Sequence, residues 1–279
     1  MIRKTEWGQI WNGGTMVFRK SIVIFSGYNQ RAIVSFLRVA QKHNIPLIII
    51  AKSETDSILD TTYKKYVKYV RKKTELDLLN IEYILNEIKL EEAFDEYIIL
   101  PNTEYLNRFL LRNRKELKEM NFTVPLVDEQ IYHLVSDKYS FGNLCKKNGI
   151  KTPQELSINE VNSFPVVVKP RCYFTSEGKT ISPQLIKDMP ELMNFMSQNC
   201  PDDFYIQQFI KGESYYLLYY FCKDGRYECF SQKNILQQSQ GKSIVAAVPA
   251  DIHEKDISKK FVKLFKSINF TGLVMVEIR

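Results

Sequence analysis

The sequence has no apolar run near the roughly 20 residues that a membrane span needs, and no apolar stretch follows its basic start as in a secretory signal. Cysteine is sparse: five residues, at 145, 172, 200, 222 and 229, with no CxxC pair. An odd, scattered set excludes a disulfide framework and fits reduced thiols in a cytoplasmic protein. His43, His133 and His253 stand far apart, so no zinc-ligand spacing exists. There is no Ser/His/Asp or Cys/His constellation for nucleophilic catalysis, and the first strand–helix turn, "SGYNQ", holds one glycine where a dinucleotide site wants GxGxxG.

What is present is ordinary globular material of 279 residues, enough for one large domain or two to three small ones. The net charge of +7 concentrates in "YKKYVKYVRKK", residues 63–73. Lys64, Lys65 and Lys68 interleaved with tyrosines could meet nucleic acid. No nucleic-acid motif accompanies them, and lysines also protect exposed edge strands, which is the preferred reading. The segment before Met16 has no periodicity; Gly13-Gly14 could be encoded as a purine-rich ribosome-binding site, so translation is expected to start at Met16 and residues 1–15 to form a disordered leader.

Apolar patterning then gives strand "SIVIFSG", a helix with Ile33, Phe36, Leu37 and Ala40 on one face, and strand "IPLIIIAK": a βαβ unit with a parallel sheet. Further strands are expected at "YVKYVRK", "EYIILPN" and "FTVPLVD". A helix carries Leu78, Ile81, Ile84, Leu85 and Ile88, and a long one, capped by Asn102 or Thr103, covers "TEYLNRFLLRNRKELKEM". Residues 16–127 thus predict an open α/β domain. Downstream the pattern becomes α+β: a helix "SDKYSFGNLCKKNG" capped by Ser136 or Asp137 and stopped by Gly149, strand "FPVVVKP", a helix in the second half of "PQLIKDMPELMNFMSQN", three strands over 203–234 with turns at 211–212 and 224–225, a helix with Ile257, Phe261, Leu264 and Phe265, and strand "FTGLVMVEIR".

Four places have a shared chemical sense. Lys169 closes an apolar strand, where its charge can meet phosphate oxygens or simply snorkel to solvent. Lys138 lies in the first turn of a helix, which favours anions; taken alone, an ordinary exposed lysine is the preferred reading. "IQQFIKGES", residues 206–214, is a plain strand and turn, or a linker that reads a base edge with a carboxylate placed for ribose hydroxyls. Glu277 shares a strand face with Leu273 and Met275, as the frayed end of a strand or as an apolar wall with an acid beside phosphate-bound Mg²⁺.

In this order, "SDKYSFGNLCKKNGIKTP", "FPVVVKP", "YIQQFIKGES", "DGRYECFSQK" and "FTGLVMVEIR" resemble the ATP-grasp superfamily, most of all its carbamoyl-phosphate synthetase large-subunit-like and amino-acid ligase branches. The resemblance spans about residues 17–279 and implies a pre-ATP-grasp, Rossmann-like α/β domain (16–127), followed by a first ATP-grasp lobe (128–206) and an incomplete second lobe (207–279). It implies ATP and Mg²⁺ as cofactors and a ligase joining small carboxylate and amine substrates through an acyl phosphate. By position, Lys138 and Lys169 match phosphate-contacting lysines, and Gln207 and Gln208 the polar residues beside adenine. Phe209 and Ile210 match the base-reading linker, Glu213 the ribose carboxylate, Lys233 a catalytic basic residue near the terminal phosphates, and Glu277 the first metal ligand. Two departures stand out. The loop "RCYFTSEGKT" holds one glycine where the family's is rich in glycine and serine, and the further Glu-x-Asn strand of the family does not occur. The expectation is therefore a truncated ligase, or a split one complemented by a C-terminal polypeptide, with a non-catalytic nucleotide-binding or interaction protein derived from such a ligase as the alternative.

Overall fold

The computed structural model describes residues 19–91, 93–237 and 244–279, so the expected leader 1–15 and start at Met16 lie outside the described residues. The chain divides into two compact units, one ending at Leu126 and one beginning at Val127. Among the described residues no helix is long and apolar enough to cross a membrane.

The first unit runs β1 (Lys20–Phe25), α1 (Gln30–Lys42), β2 (Leu47–Ala51), two 3-10 turns, β3 (Val67–Val70), α2 (Leu78–Glu91), β4 (Glu96–Ile99), α3 (Glu104–Arg112), α4 (Arg114–Glu119) and β5 (Phe122–Thr123). The sheet is parallel, in the order β3-β2-β1-β4-β5. Because strand side chains alternate, Ile22, Ile24, Leu47 and Ile49 pack with Ile33, Leu37 and Ala40 of α1. On the other face Val23, Phe25, Ile48 and Ile50 pack with Ile81, Leu85 and Ile88 of α2 and with Leu106 and Leu110 of α3. Burial on both faces explains why β1 and β2 read as continuous apolar runs rather than alternating ones. The basic run falls on a 3-10 turn (Thr62–Tyr66) and on β3, which is a sheet edge with Lys68 exposed.

The single long helix expected over 103–120 is two. Thr103 caps α3 by accepting from the Leu106 amide, but Asn113 ends it, its side-chain amide donating to the Phe109 carbonyl at 2.8 Å. Asparagine competes in this way with the helical ladder.

The second unit begins with α5 (Glu129–Ser136), absent from the sequence reading, and α6 (Lys138–Lys147). Asp128 caps α5, and Asp137, in extended conformation, separates the two helices. Gly149 takes φ +67° just past α6, as expected of a left-handed stop. Then follow β6 (Glu155–Leu156), β7 (Val166–Pro170), β8 (Gln184–Ile186), α7 (Met189–Gln198), β9 (Phe204–Gln208), β10 (Ser214–Phe221), β11 (Tyr227–Gln237), β12 (Ile244–Ala250), α8 (Asp256–Ser267) and β13 (Gly272–Ile278). Two antiparallel sheets result, β6-β9-β7-β8 and β12-β11-β10-β13. β12 also escaped the sequence reading: Pro249 argues against a strand, and is tolerated because β12 is an edge.

Each sheet of this unit has one well-filled face. Val166, Val168, Phe204 and Ile206 pack on Leu192 and Phe195 of α7. Leu217, Tyr219 and Phe221 of β10 and Val276 of β13 pack on Phe261, Leu264 and Phe265 of α8, with Cys145 of α6 in the same core. Tyr219 keeps its hydroxyl satisfied there, 2.9 Å from Ser258 Oγ.

Candidate functional site

The remaining faces of the two sheets carry the polar groups. Val166 and Val168 turn inward, so Val167 and Lys169 lie on the opposite face of β7, beside Gln207 and Tyr205 of β9. Lys169 is half-buried, while Val166, Val168 and Pro170 turn to the opposite, filled face. Among the described residues it has neither a hydrogen bond nor an ion pair. Burial, and then the positive charge of Lys138, push its pKa down; Glu277 pulls the other way and Arg279 adds to the depression. Lys138, Glu277 and Arg279 are thus each close enough to act on Lys169.

Glu277 sits on the open face of the second sheet. In register, Leu273 lies across from Tyr220, Met275 from Leu218 and Glu277 from Tyr216. Leu273 is 79% and Met275 48% exposed, so an uncovered apolar strip leads to the acid. Its carboxylate is held from inside: Ser214 Oγ donates to Glu277 Oε1 at 2.9 Å, Asn234 Nδ2 donates to Ser214 Oγ at 2.9 Å, and Gln232 Nε2 donates to Asn234 Oδ1 at 2.9 Å. Arg279 approaches the same Oε1 at 3.3 Å. Of these partners, Ser214, Gln232, Asn234 and Arg279 were missed. Ser214 and Tyr216 alternate on one face and would have flagged the network had the pairing with β11 been known. β13 pairs with β10 and forms the edge of its sheet.

Lys233 is not brought to this group. It faces Tyr215 across β10, whereas Glu277 faces Tyr216, and successive strand residues point to opposite sides. Its ammonium instead pairs with Glu213, whose other oxygen accepts from Tyr215 OH at 2.6 Å. Lys233 first, then Tyr215, hold the Glu213 carboxyl below its usual range, and Glu213 in turn raises Lys233. The expectation of Lys233 near the terminal phosphates therefore meets a lysine on the other face of the sheet.

Gln207 is buried and donates to the Pro153 carbonyl at 3.2 Å, which fixes the β9 face. Gln208 is exposed at the end of β9, with its backbone amide on the Gln154 carbonyl at 2.8 Å. Phe209 and Ile210 are half-buried in the connection to β10. A narrow cleft between α6 and the first sheet is lined by Lys138, Tyr139, Glu155, Tyr205 and Gln207. Two of these residues also meet Arg171, whose guanidinium lies over the Tyr139 ring at 4.2 Å and 3.7 Å from Glu155. The loop that follows is tied down by side chains rather than glycines: Ser176 bonds Asp203 through its amide (2.7 Å) and its hydroxyl (2.9 Å). A wider groove of about 500 Å³ beside β8 and α7 involves neither lysine nor Glu277.

No family model matches this sequence, and no curated protein matches it. Solved structures do. An L-amino acid ligase from Bacillus licheniformis superposes with a TM-score of 0.62 at 14% identity, covering 94% of this chain and 64% of its own. N5-carboxyaminoimidazole synthetase from Staphylococcus aureus, complexed with ADP, gives 0.64 at 17% identity over 95% of this chain and 68% of its own. A biotin carboxylase from Campylobacter jejuni gives 0.63 at 14% identity over 92% and 61%. This chain therefore spans about two thirds of the length of the proteins it resembles. Identities this low speak for the fold alone: a parallel α/β unit followed by two antiparallel sheets, an ATP-grasp-like arrangement shared with these ligases and carboxylases.

Proposed function

We propose that this chain binds ATP between its two antiparallel sheets and serves an ATP-dependent ligase that joins a small carboxylate to an amine. The observation that carries the reading is Lys169: a half-buried ammonium with no ion pair among the described residues, its pKa pushed down by burial and by Lys138. Such a pair costs the empty protein stability and is repaid by a polyphosphate. The apolar strip of Leu273 and Met275 offers a surface for a base, and the linker 209–213 offers backbone groups for its edge. The neighbours support the class: one is an amino acid ligase, and another was solved with ADP.

In the proposed chemistry ATP is a substrate. A carboxylate oxygen attacks the γ-phosphorus and ADP leaves, giving an acyl phosphate. An amine then attacks the acyl carbon, losing a proton, and phosphate leaves. Lys138 and Lys169 would offset charge on the transferred group, which matters most where burial lowers the local dielectric. For Mg²⁺ the described residues offer one carboxylate, Glu277, which would hold the ion only together with the ATP phosphates. No cluster of three metal-ligating side chains occurs among the described residues. Glu277 Oε1 already accepts from Ser214 and Arg279, and the Arg279 charge opposes a second cation. No step is therefore routed through a metal.

That same donor set favours a second reading, nucleotide binding without turnover. Titration with ATP and ADP, followed by assay of phosphate release with a panel of amino acids, separates the two: binding with release supports the ligase, and binding alone supports the second. ATP affinity unchanged in both Lys138→Met and Lys169→Met sinks both.

A further inference from the structure

Helix α2 is apolar on two sides. One side is used inside the first unit, where Ile81, Ile84, Leu85 and Ile88 pack into the core under the parallel sheet. The other carries Leu79, Tyr83, Asn86 and Leu90, spaced by four, three and four residues, so they stack in one stripe along the helix. All four are exposed, Leu79 to 75%, Tyr83 to 64% and Leu90 to 82%. A surface helix ordinarily shows solvent a charged face, and a helix that is apolar all round is ordinarily covered all round. By contrast α1, on the opposite face of the sheet, turns Arg31, Ser35, Arg38 and Lys42 outward.

The spacing of the stripe is that of a coiled-coil seam with one polar member, and such a seam takes a second helix. The charges beside it fit a second copy of α2. A two-fold axis midway along the stripe lays an antiparallel copy against it, so that the same patch meets itself. Leu79 then lies across from Leu90 of the second copy, and Tyr83 from Asn86. Glu82 and Lys89 flank the stripe on one side, and neither has an ion pair within its own chain among the described residues. In the antiparallel pair this flank meets its own symmetry mate. Glu82 of each copy is then offset from Lys89 of the other by two residues, about 3 Å along the axis, within reach of a lysine. Two opposite-charge contacts result. A parallel pair would instead set Glu82 against Glu87, like on like.

We propose that two copies of this chain dimerise through α2, antiparallel about a two-fold axis, with the Leu79–Leu90 stripe as the buried seam and the Glu82–Lys89 contacts fixing the register. One helix pair buries less than the roughly 1,600 Å² of a standard interface, so the dissociation constant should be on the order of micromolar. No residue of the nucleotide reading takes part.

Sedimentation equilibrium of the full chain up to about 100 µM, well above such a constant, tests it. The unsubstituted chain is expected to dimerise. Leu79→Asp and Leu90→Asp should each weaken the dimer by about tenfold or more. Their circular dichroism should be unchanged, because both side chains already face solvent. Glu82→Lys alone, and Lys89→Glu alone, put like charges across the seam and should weaken the dimer too. Mixed in equal amounts, these two variants should dimerise again, because only the mixed dimer pairs opposite charges at both contacts. A role confined to the stability of the single chain gives no such rescue. A chain that stays monomeric leaves α2 to a different protein and overturns the proposal. So does a dimer indifferent to both leucine substitutions, whose interface lies elsewhere, and so does a pair of charge variants that mixing fails to rescue.

Discussion

The parallel sheet of the first unit and the β10–β13 sheet of the second solve burial differently. The first is covered on both faces, by α1 on one and by α2 and α3 on the other. Among the described residues the second is covered on one face, by α8 with α6. Covering both faces leaves only the strand ends and edges of the first open. Covering one face releases the other for a flat ligand along Leu273 and Met275, with an acid at its end. The two sheets thus leave different surfaces open.

The widest contrast should appear within the second sheet. Phe265→Ala empties a fully buried position in the α8 core and should cost about 3–5 kcal/mol by chemical denaturation. Next comes Lys169→Met, which should weaken ATP binding by about 10- to 100-fold, the worth of a charged hydrogen bond. The same change should raise the melting temperature of the unliganded protein at neutral pH. The sign follows from the depressed pKa of Lys169: the unfolded chain binds its proton more tightly, so the penalty is full below the folded pKa and is relieved as pH rises to the unfolded value near 10.5. The stability gain of the variant should accordingly shrink at alkaline pH. A variant that is less stable at pH 7 would remove the case for a half-buried, uncompensated ammonium.

Ser214→Ala strands the Asn234 amide and loosens Glu277, for about 1–3 kcal/mol in thermal unfolding. In the doubly covered first unit, Thr103→Ala removes the α3 cap for about 1 kcal/mol. Smallest of all, Leu273→Ala should change stability by less than about 0.5 kcal/mol, because its side chain is already in solvent. A larger loss there would mean that the open face is covered after all.

What the sequence revealed follows the range of the interactions involved. Apolar periodicity is local, so β1, α1, β2 and the buried face of α8 were readable from spacing alone. So was the place of Lys169 at the end of an apolar strand. Cross-strand register is not local. Nothing in "SQKN" says that Lys233 meets Tyr215 while Gln232 and Asn234 turn toward Glu277, because the pairing of β10 with β11 decides it. Arg71 looked like the tail of a solvated basic run, and only the three-dimensional turn around Tyr28 buries it. The break at Asn113 and the strand containing Pro249 were lost to residues whose usual meaning is overridden by position: a side chain that bonds backward into its own helix, and an edge that needs no amide.

Cys145 offers a use that the other cysteines do not. It lies in the core that α6 shares with α8, and burial pushes its thiol up to about 11. Cys172 and Cys200 are exposed. At neutral pH an alkylating reagent should consume these two at once, whereas Cys145 lacks both access and thiolate until its core opens. The rate at which Cys145 is labelled then becomes a clock for local unfolding of the second unit, one that needs no added probe and that a bound nucleotide should slow.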